Sequence, residues 1–111
     1  MATDQAFLDF VLEQLSRLDG LRFRPMMGEY VLYFQGKTVG GVYDDRLLLK
    51  PTGTARALME ASAFGLRWEI PYPGAKELLL ADVDDRELCG RVLRAVAAEL
   101  PMPKRRKRKE S

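Results

Sequence analysis

Residues 30–50 read Tyr-Val-Leu-Tyr-Phe-Gln-Gly-Lys-Thr-Val-Gly-Gly-Val-Tyr-Asp-Asp-Arg-Leu-Leu-Leu-Lys, and this stretch decides the fold. Tyr30 to Phe34 is an unbroken apolar and aromatic run of strand length, and Gln35, Gly36 and Lys37 supply a turn. Thr38 to Tyr43 gives a second strand, Asp44 and Asp45 turn again, and Arg46 to Lys50 gives a third before Pro51. Upstream, Leu21 and Phe23 alternate with Arg22 and Arg24 until Pro25 interrupts, which adds a strand in front. The pattern is an antiparallel meander.

Helical spacing flanks it. Phe7, Phe10, Val11, Leu15 and Leu18 recur at three- and four-residue intervals, with Thr3 placed to cap the helix and Gly20 to end it. Thr54 is placed to cap a short second helix through Ala63, ended by Gly65. Trp68 to Ile70 and Ala75 to Ala81 form a hairpin across Pro71, Tyr72, Pro73 and Gly74. Asp84 with Glu87 reads as a capping box for a third helix, whose stripe of Leu88, Val92, Leu93, Val96, Ala97 and Leu100 runs to Pro101. The order helix, four strands, helix, two strands, helix belongs to the α+β class, a meander sheet packed with three helices. The strands around Val31, Leu48 and Leu79 lack polar alternation, so both sheet faces are expected to be covered in places. So few helices leave room for a second copy of the chain, and a homodimer is the expected assembly.

The chain has 111 residues, 47% of them hydrophobic, which suits one domain, expected over residues 1–103. There is no histidine and no asparagine, so mechanisms that need an imidazole are excluded. The formal charge of +2 conceals a division. Lys104, Arg105, Arg106, Lys107, Arg108 and Lys109 carry six positive charges; taking 6 from 18 basic residues, and Glu110 from 16 acidic ones, leaves 12 and 15 in residues 1–103. The body is therefore −3 and the end, from residue 104, is +5. Such a block repels itself and buries nothing, so residues 104–111 are expected to be a disordered basic tail with weak, sequence-blind affinity for nucleic acid or another polyanion. No apolar stretch suggests a membrane span, the start Met-Ala-Thr-Asp-Gln-Ala does not read as a secretory signal, and a lone Cys89 suits a reducing compartment. The expected setting is cytoplasmic.

Candidate chemistry resolves into structural roles. Gly36-Lys37-Thr38 lacks the earlier glycine of a phosphate loop, since Val31 stands there, and Gly40-Gly41 reads as a bulge or a close backbone approach. Asp82, Asp84, Asp85 and Glu87 suit helix capping better than a calcium loop. Cys89 falls on the apolar stripe and is expected to be buried with a raised pKa. Tyr30, Tyr33, Phe34 and Tyr43 place aromatics on adjacent strands, as single-strand RNA platforms do, with core or dimer packing as the competing use. Arg22, Arg24, Met26 and Met27 form a corner of two arginines and two flexible thioethers that suggests an interaction surface. No catalytic, cofactor-binding or metal-binding set is expected.

Arg24 to Tyr33, Gly36, Gly40 to Lys50, and Tyr72 to Asp85 with its Pro-Gly-Ala-Lys turn together resemble the N-terminal domain of the bacterial TfoX/Sxy family over about residues 5–100. The positions that match its pattern are Arg24, Met27, Gly28, Tyr33, Gly36, Asp45, Leu47 and Lys50. The resemblance implies an α+β domain in a bacterial cytoplasm, without enzyme activity or cofactor, linked in longer members to transcriptional co-activation of competence genes. Those members continue into a second, helical domain, whereas here the basic run follows Leu100, so a stand-alone domain is expected. The reading is a non-enzymatic regulatory or interaction domain whose partners are a second copy, a protein of transcription regulation and, through the tail, nucleic acid. The alternative is a small-molecule sensor or enzyme that gathers Arg22, Arg24, Tyr33, Asp45 and Lys50 around a pocket near Met26 and Met27.

Overall fold

The structure, a computed structural model, describes residues 3–101. It contains α1 (Gln5–Gln14), β1 (Leu21–Met26), β2 (Glu29–Phe34), β3 (Lys37–Val42), β4 (Leu47–Leu49), α2 (Gly53–Ala61), β5 (Trp68–Glu69), β6 (Leu78–Leu80) and α3 (Arg86–Glu99). This is the α+β order expected. All pairings are antiparallel, in one six-stranded sheet ordered β1-β2-β3-β4-β6-β5. Pro25 lies in β1, an edge strand, where its missing N–H costs the ladder least.

Three turns set the register. Met27-Gly28, Gln35-Gly36 and Asp44-Asp45 are two-residue connections in which every residue has positive φ, between +51° and +86°. Left-handed geometry at both positions matches the right-handed twist of the flanking strands. Between β2 and β3 the register slips: Tyr33 faces Thr38 and Leu32 faces Gly40, so Val39 is the extra residue of a bulge. The slip lets Val39 and Val42 both reach the core although they are three apart.

That core joins one face of the sheet to all three helices. Leu32, Phe34, Leu47, Leu49 and Leu79 meet Leu8, Val11 and Leu15 of the first helical segment, Ala55 and Met59 of α2, and Leu88, Val92, Leu93 and Val96 of α3. Each of these strand positions has the same parity in the ladder, so the helices cover one side only. Lys37, on that side, donates from Nζ to the Ala97 carbonyl in the last turn of α3 at 2.7 Å, satisfying a helix-end acceptor from a strand.

The helix ends depart from expectation. Thr3 does not cap α1: Asp4 holds that position without a side-chain bond, and the buried Thr3 hydroxyl donates to Glu29 instead. The α ladder stops at Gln14, because Ser16 N–H bonds Glu13 O and Leu18 N–H bonds Leu15 O at three-residue spacing. Thr54 lies inside α2, its N–H and hydroxyl both donating to the Glu99 carboxylate at 2.8 and 2.7 Å. These two bonds, the backbone one foremost, lower the pKa of Glu99. Helix α2 stops before Ala63 because Ser62 donates its hydroxyl to Met59 O and accepts from Gly65 N–H. Asp85, not Asp84, caps α3, accepting from Leu88 N–H at 3.0 Å; Glu87 then falls in the first turn without the reciprocal place of a capping box.

Candidate functional site: the helix-free face of the sheet

The opposite ladder parity puts Arg22, Arg24 and Met26 of β1 on the uncovered side, with Glu29, Val31 and Tyr33 of β2, Thr38 and Gly41 of β3, Leu48 of β4, and Leu78 and Leu80 of β6. Arg22 is the register partner of Tyr33, and Tyr33 that of Thr38. Just past β4, Lys50 donates its N–H to Val39 O, so it stands level with that row. Arg24 completes the group, its guanidinium carbon 6.0 Å from the centre of the Tyr33 ring.

The other end of this face is aromatic and acidic. A Cβ at Gly41 would lie 2.6 Å from Cε2 of Tyr43, so that ring occupies the space a side chain there would take. Tyr72, from the β5–β6 loop, meets Tyr43 edge to face at 6.2 Å. Burial, then Tyr72, Glu29 and Tyr33, push the Tyr43 hydroxyl to a higher pKa. Beside it a cavity of about 370 Å³ is lined by Met26, Met27, Glu29, Tyr43 and Tyr72. Glu29 is held: its carboxylate accepts from Asp44 N–H at 3.0 and 3.1 Å and from the Thr3 hydroxyl. Asp45 in turn accepts from Asp4 N–H at 2.8 Å, so the start of α1 and the β3–β4 turn are tied together.

Met27 at the lip of this cavity is 96% exposed and left-handed, two features that oppose stability. Met27→Gly relieves the backbone strain without removing a buried contact. It is expected to raise stability by about 1 kcal/mol in a denaturant titration.

Arg22, Arg24, Met26 and Met27 therefore lie together along one strand and its turn. The grouping of the sensor alternative does not converge. Lys50, Tyr33 and Arg22 share one level, while Asp45 and Met27 sit in turns at the other end of the strands. Lys104 to Lys109 lie outside the described residues. Glu29 and Tyr72 escaped the reading of residues: one is an ordinary strand-end glutamate and the other sits in a proline-rich turn, and only the fold brings them to Tyr43. A second groove escaped too. Arg17, Arg86, Arg91 and Arg94 line about 440 Å³ between the end of the first helical segment and α3, from positions some seventy residues apart in the chain. Arg86 there lies 3.8 Å from Glu13.

Before α3 two of the aspartates are engaged. Asp82 accepts from Asp84 N–H and Asp85 caps α3. Among the described residues no three histidine, cysteine or acidic side chains are grouped to hold a metal ion. No described helix is long and apolar enough to cross a membrane. Cys89 is buried on the stripe, its thiol donating to Asp82 O at 3.0 Å, and its pKa is pushed up to about 12, by burial first and then by Asp82, Asp85 and Asp84. The folded thiol thus holds its proton where an unfolded one, with a pKa of 9.0, releases it. This contribution to stability is complete below pH 9 and declines as pH rises toward 12. Reaction with a disulfide reagent at pH 8 is expected to be at least a hundredfold slower in the folded chain than in denaturant, a rough bound from the thiolate fraction.

The TfoX N-terminal domain family matches residues 13–78, from the end of α1 to the first residue of β6. The chain belongs to this family. It is 42% identical over 111 residues to an uncharacterized 12.7 kDa protein in the trpE 5′ region of Spirochaeta aurantia, covering 98% of this chain and 93% of the relative. No solved structure matches it. The meander and its tyrosines lie inside the TfoX N-terminal span. There Gly28 and Gly36 fill second positions of left-handed turns, Leu47 is in the core, and Arg24, Tyr33 and Lys50 are on or beside the open face.

Proposed function

We propose that this TfoX N-terminal domain is a non-enzymatic regulatory module that works by contact. In this reading the uncovered sheet face is the docking surface, and the basic run at residues 104–109 adds loose affinity for polyanions. One observation carries the reading: the helices seal a single face, and the other presents cations, a half-buried tyrosine and aliphatic side chains in register. Among the described residues nothing on that face resembles an acid–base pair or an activated nucleophile. Cys89 is buried and protonated, Glu29 is occupied by the β3–β4 turn, and Glu69 is 2.9 Å from Arg46. A role in transcription regulation in the bacterial cytoplasm, with a second copy as one partner, belongs to the same reading. It draws on the family and not on any group in the site.

The test compares the intact chain with one ending at Pro103 in mobility shifts on duplex DNA across a salt series. Six phosphate contacts give a log–log slope of about −5, a loss on the order of a thousandfold between 50 and 200 mM salt. The shortened chain should bind far more weakly, with a shallow slope. Equal behaviour of the two removes the basic run from the function.

A further inference from the structure

We propose that the level of the open face holding Arg22, Tyr33, Thr38 and Lys50 binds single-stranded nucleic acid. Tyr33 is the platform for a base, and Arg22, Arg24 and Lys50 contact the phosphates. The inference rests on the polyanion reading above and adds the site and the strandedness of the ligand.

The row crosses three neighbouring strands and the residue that follows a fourth, a width of about 14 Å at ordinary strand spacing. Tyr33 is half-buried, so its ring is fixed by its neighbours and needs little ordering when a base arrives. Arg24 stands at the outer reach of cation–π attraction, loose enough for a base to slide against the ring or to stack on the guanidinium plane itself. Among the described residues no carboxylate lies within 4.0 Å of Arg22, Arg24 or Lys50. The carboxylates of this face are engaged elsewhere, Glu29 by Asp44 N–H and Glu69 by Arg46. Three uncommitted cations around a tyrosine, on a body of net charge −3, mark one region suited to anions.

The last described residues lie near this row. At the end of the sheet Leu100 and Pro101 line one hollow with Lys37, Thr38 and Lys50, and a second hollow joins Lys50, Lys76, Glu77 and Leu100. In the sequence the basic run begins three residues after Pro101, a span of at most about 10 Å. The helix-free face offers no helix to a major groove, and an aromatic ring gains little from a base already stacked in a duplex. Those two facts favour a single strand.

The test uses the full chain with a labelled oligothymidine, an oligouridine of equal length and a duplex of mixed sequence. Single strands should bind at least several-fold tighter than duplex, and the two oligomers together report whether the sugar matters. Tyr33→Leu should lose roughly tenfold to a hundredfold on single strands and nothing on duplex, while Tyr33→Phe, which keeps the ring, should retain binding. Arg22→Gln with Arg24→Gln should make the single-strand salt slope shallower by about 1.4. The same charge change at Arg91 and Arg94, on α3, should leave it nearly as it was. Circular dichroism confirms the fold of each variant. Unchanged single-strand affinity in Tyr33→Leu, equal binding of duplex, or an equal effect of the α3 pair overturns the proposal. If deletion of the basic run abolishes binding while Tyr33→Leu does nothing, the polyanion reading survives and this site does not. If the intact chain binds no nucleic acid, both fail.

Discussion

Gly40→Ala should leave little or no folded protein. A Cβ at Gly40 would fall on the Leu48 carbonyl, with Leu49 Cα at 2.9 Å and Leu48 C at 3.0 Å. All three are backbone atoms of the neighbouring strand and cannot swing aside, so β3 and β4 must part in the middle of the sheet. The expected loss is more than about 4 kcal/mol, enough to unfold a domain of ordinary stability. Gly36→Ala is the control. Its φ is +82°, but nothing lies within 4 Å of an added Cβ, so only the left-handed strain is incurred, about 1 kcal/mol. Chemical denaturation followed by circular dichroism separates the two. A Gly40→Ala protein whose midpoint matches that of Gly36→Ala refutes the close approach.

Leu48→Ala should cost about 3 kcal/mol, as much as a leucine between sheet and helices. Leu48 has 0% exposure, yet its ladder parity puts it on the face without helices, between Gly41 and Leu80. The Tyr43 ring, packed over Gly41 and met by Tyr72, closes this side locally. The face is thus sealed in its middle and open at the Arg22–Tyr33–Lys50 level. A shift in denaturation midpoint corresponding to less than 1 kcal/mol, at unchanged slope, would contradict that division.

The meander was legible because short turns and strand-length apolar runs are local signals. Gln35-Gly36 and Asp44-Asp45 stand where the chain must reverse, and Gly40-Gly41 proved to be a close approach next to a bulge whose extra residue is Val39. The uniform apolarity around Leu48 correctly pointed to burial on two sides. What lies on that side was hidden, because the Tyr43 ring sits over Gly41, the register partner of Leu48, and Tyr72 comes to it from a distant loop.

Helix starts were less legible for a related reason. A threonine near the start of an apolar stripe can cap its own helix or bond across the fold, and only tertiary structure decides. Thr3 went to Glu29, 26 residues away, and Thr54 to Glu99, 45 residues away. At α3 the competition was between adjacent aspartates, and one residue of register moved the cap from Asp84 to Asp85. For the candidate site, Arg22, Arg24 and Tyr33 were visible as strand residues. Their alignment with Lys50 depends on the slip at Val39, which no pairing of residue types announces.

The three two-residue turns also bear on how the molecule assembles. Joining β1 to β4 needs only nearest-neighbour zipping, and hairpins of this kind close in about 1–10 μs. Bringing β6 against β4 must wait until the intervening α2 and β5 have been gathered in, a slower search through larger loops. The Arg22–Tyr33–Thr38 alignment thus belongs to the half of the sheet whose pairings are local in sequence. Errors in maturation should gather at the late β4–β6 seam, leaving that half intact.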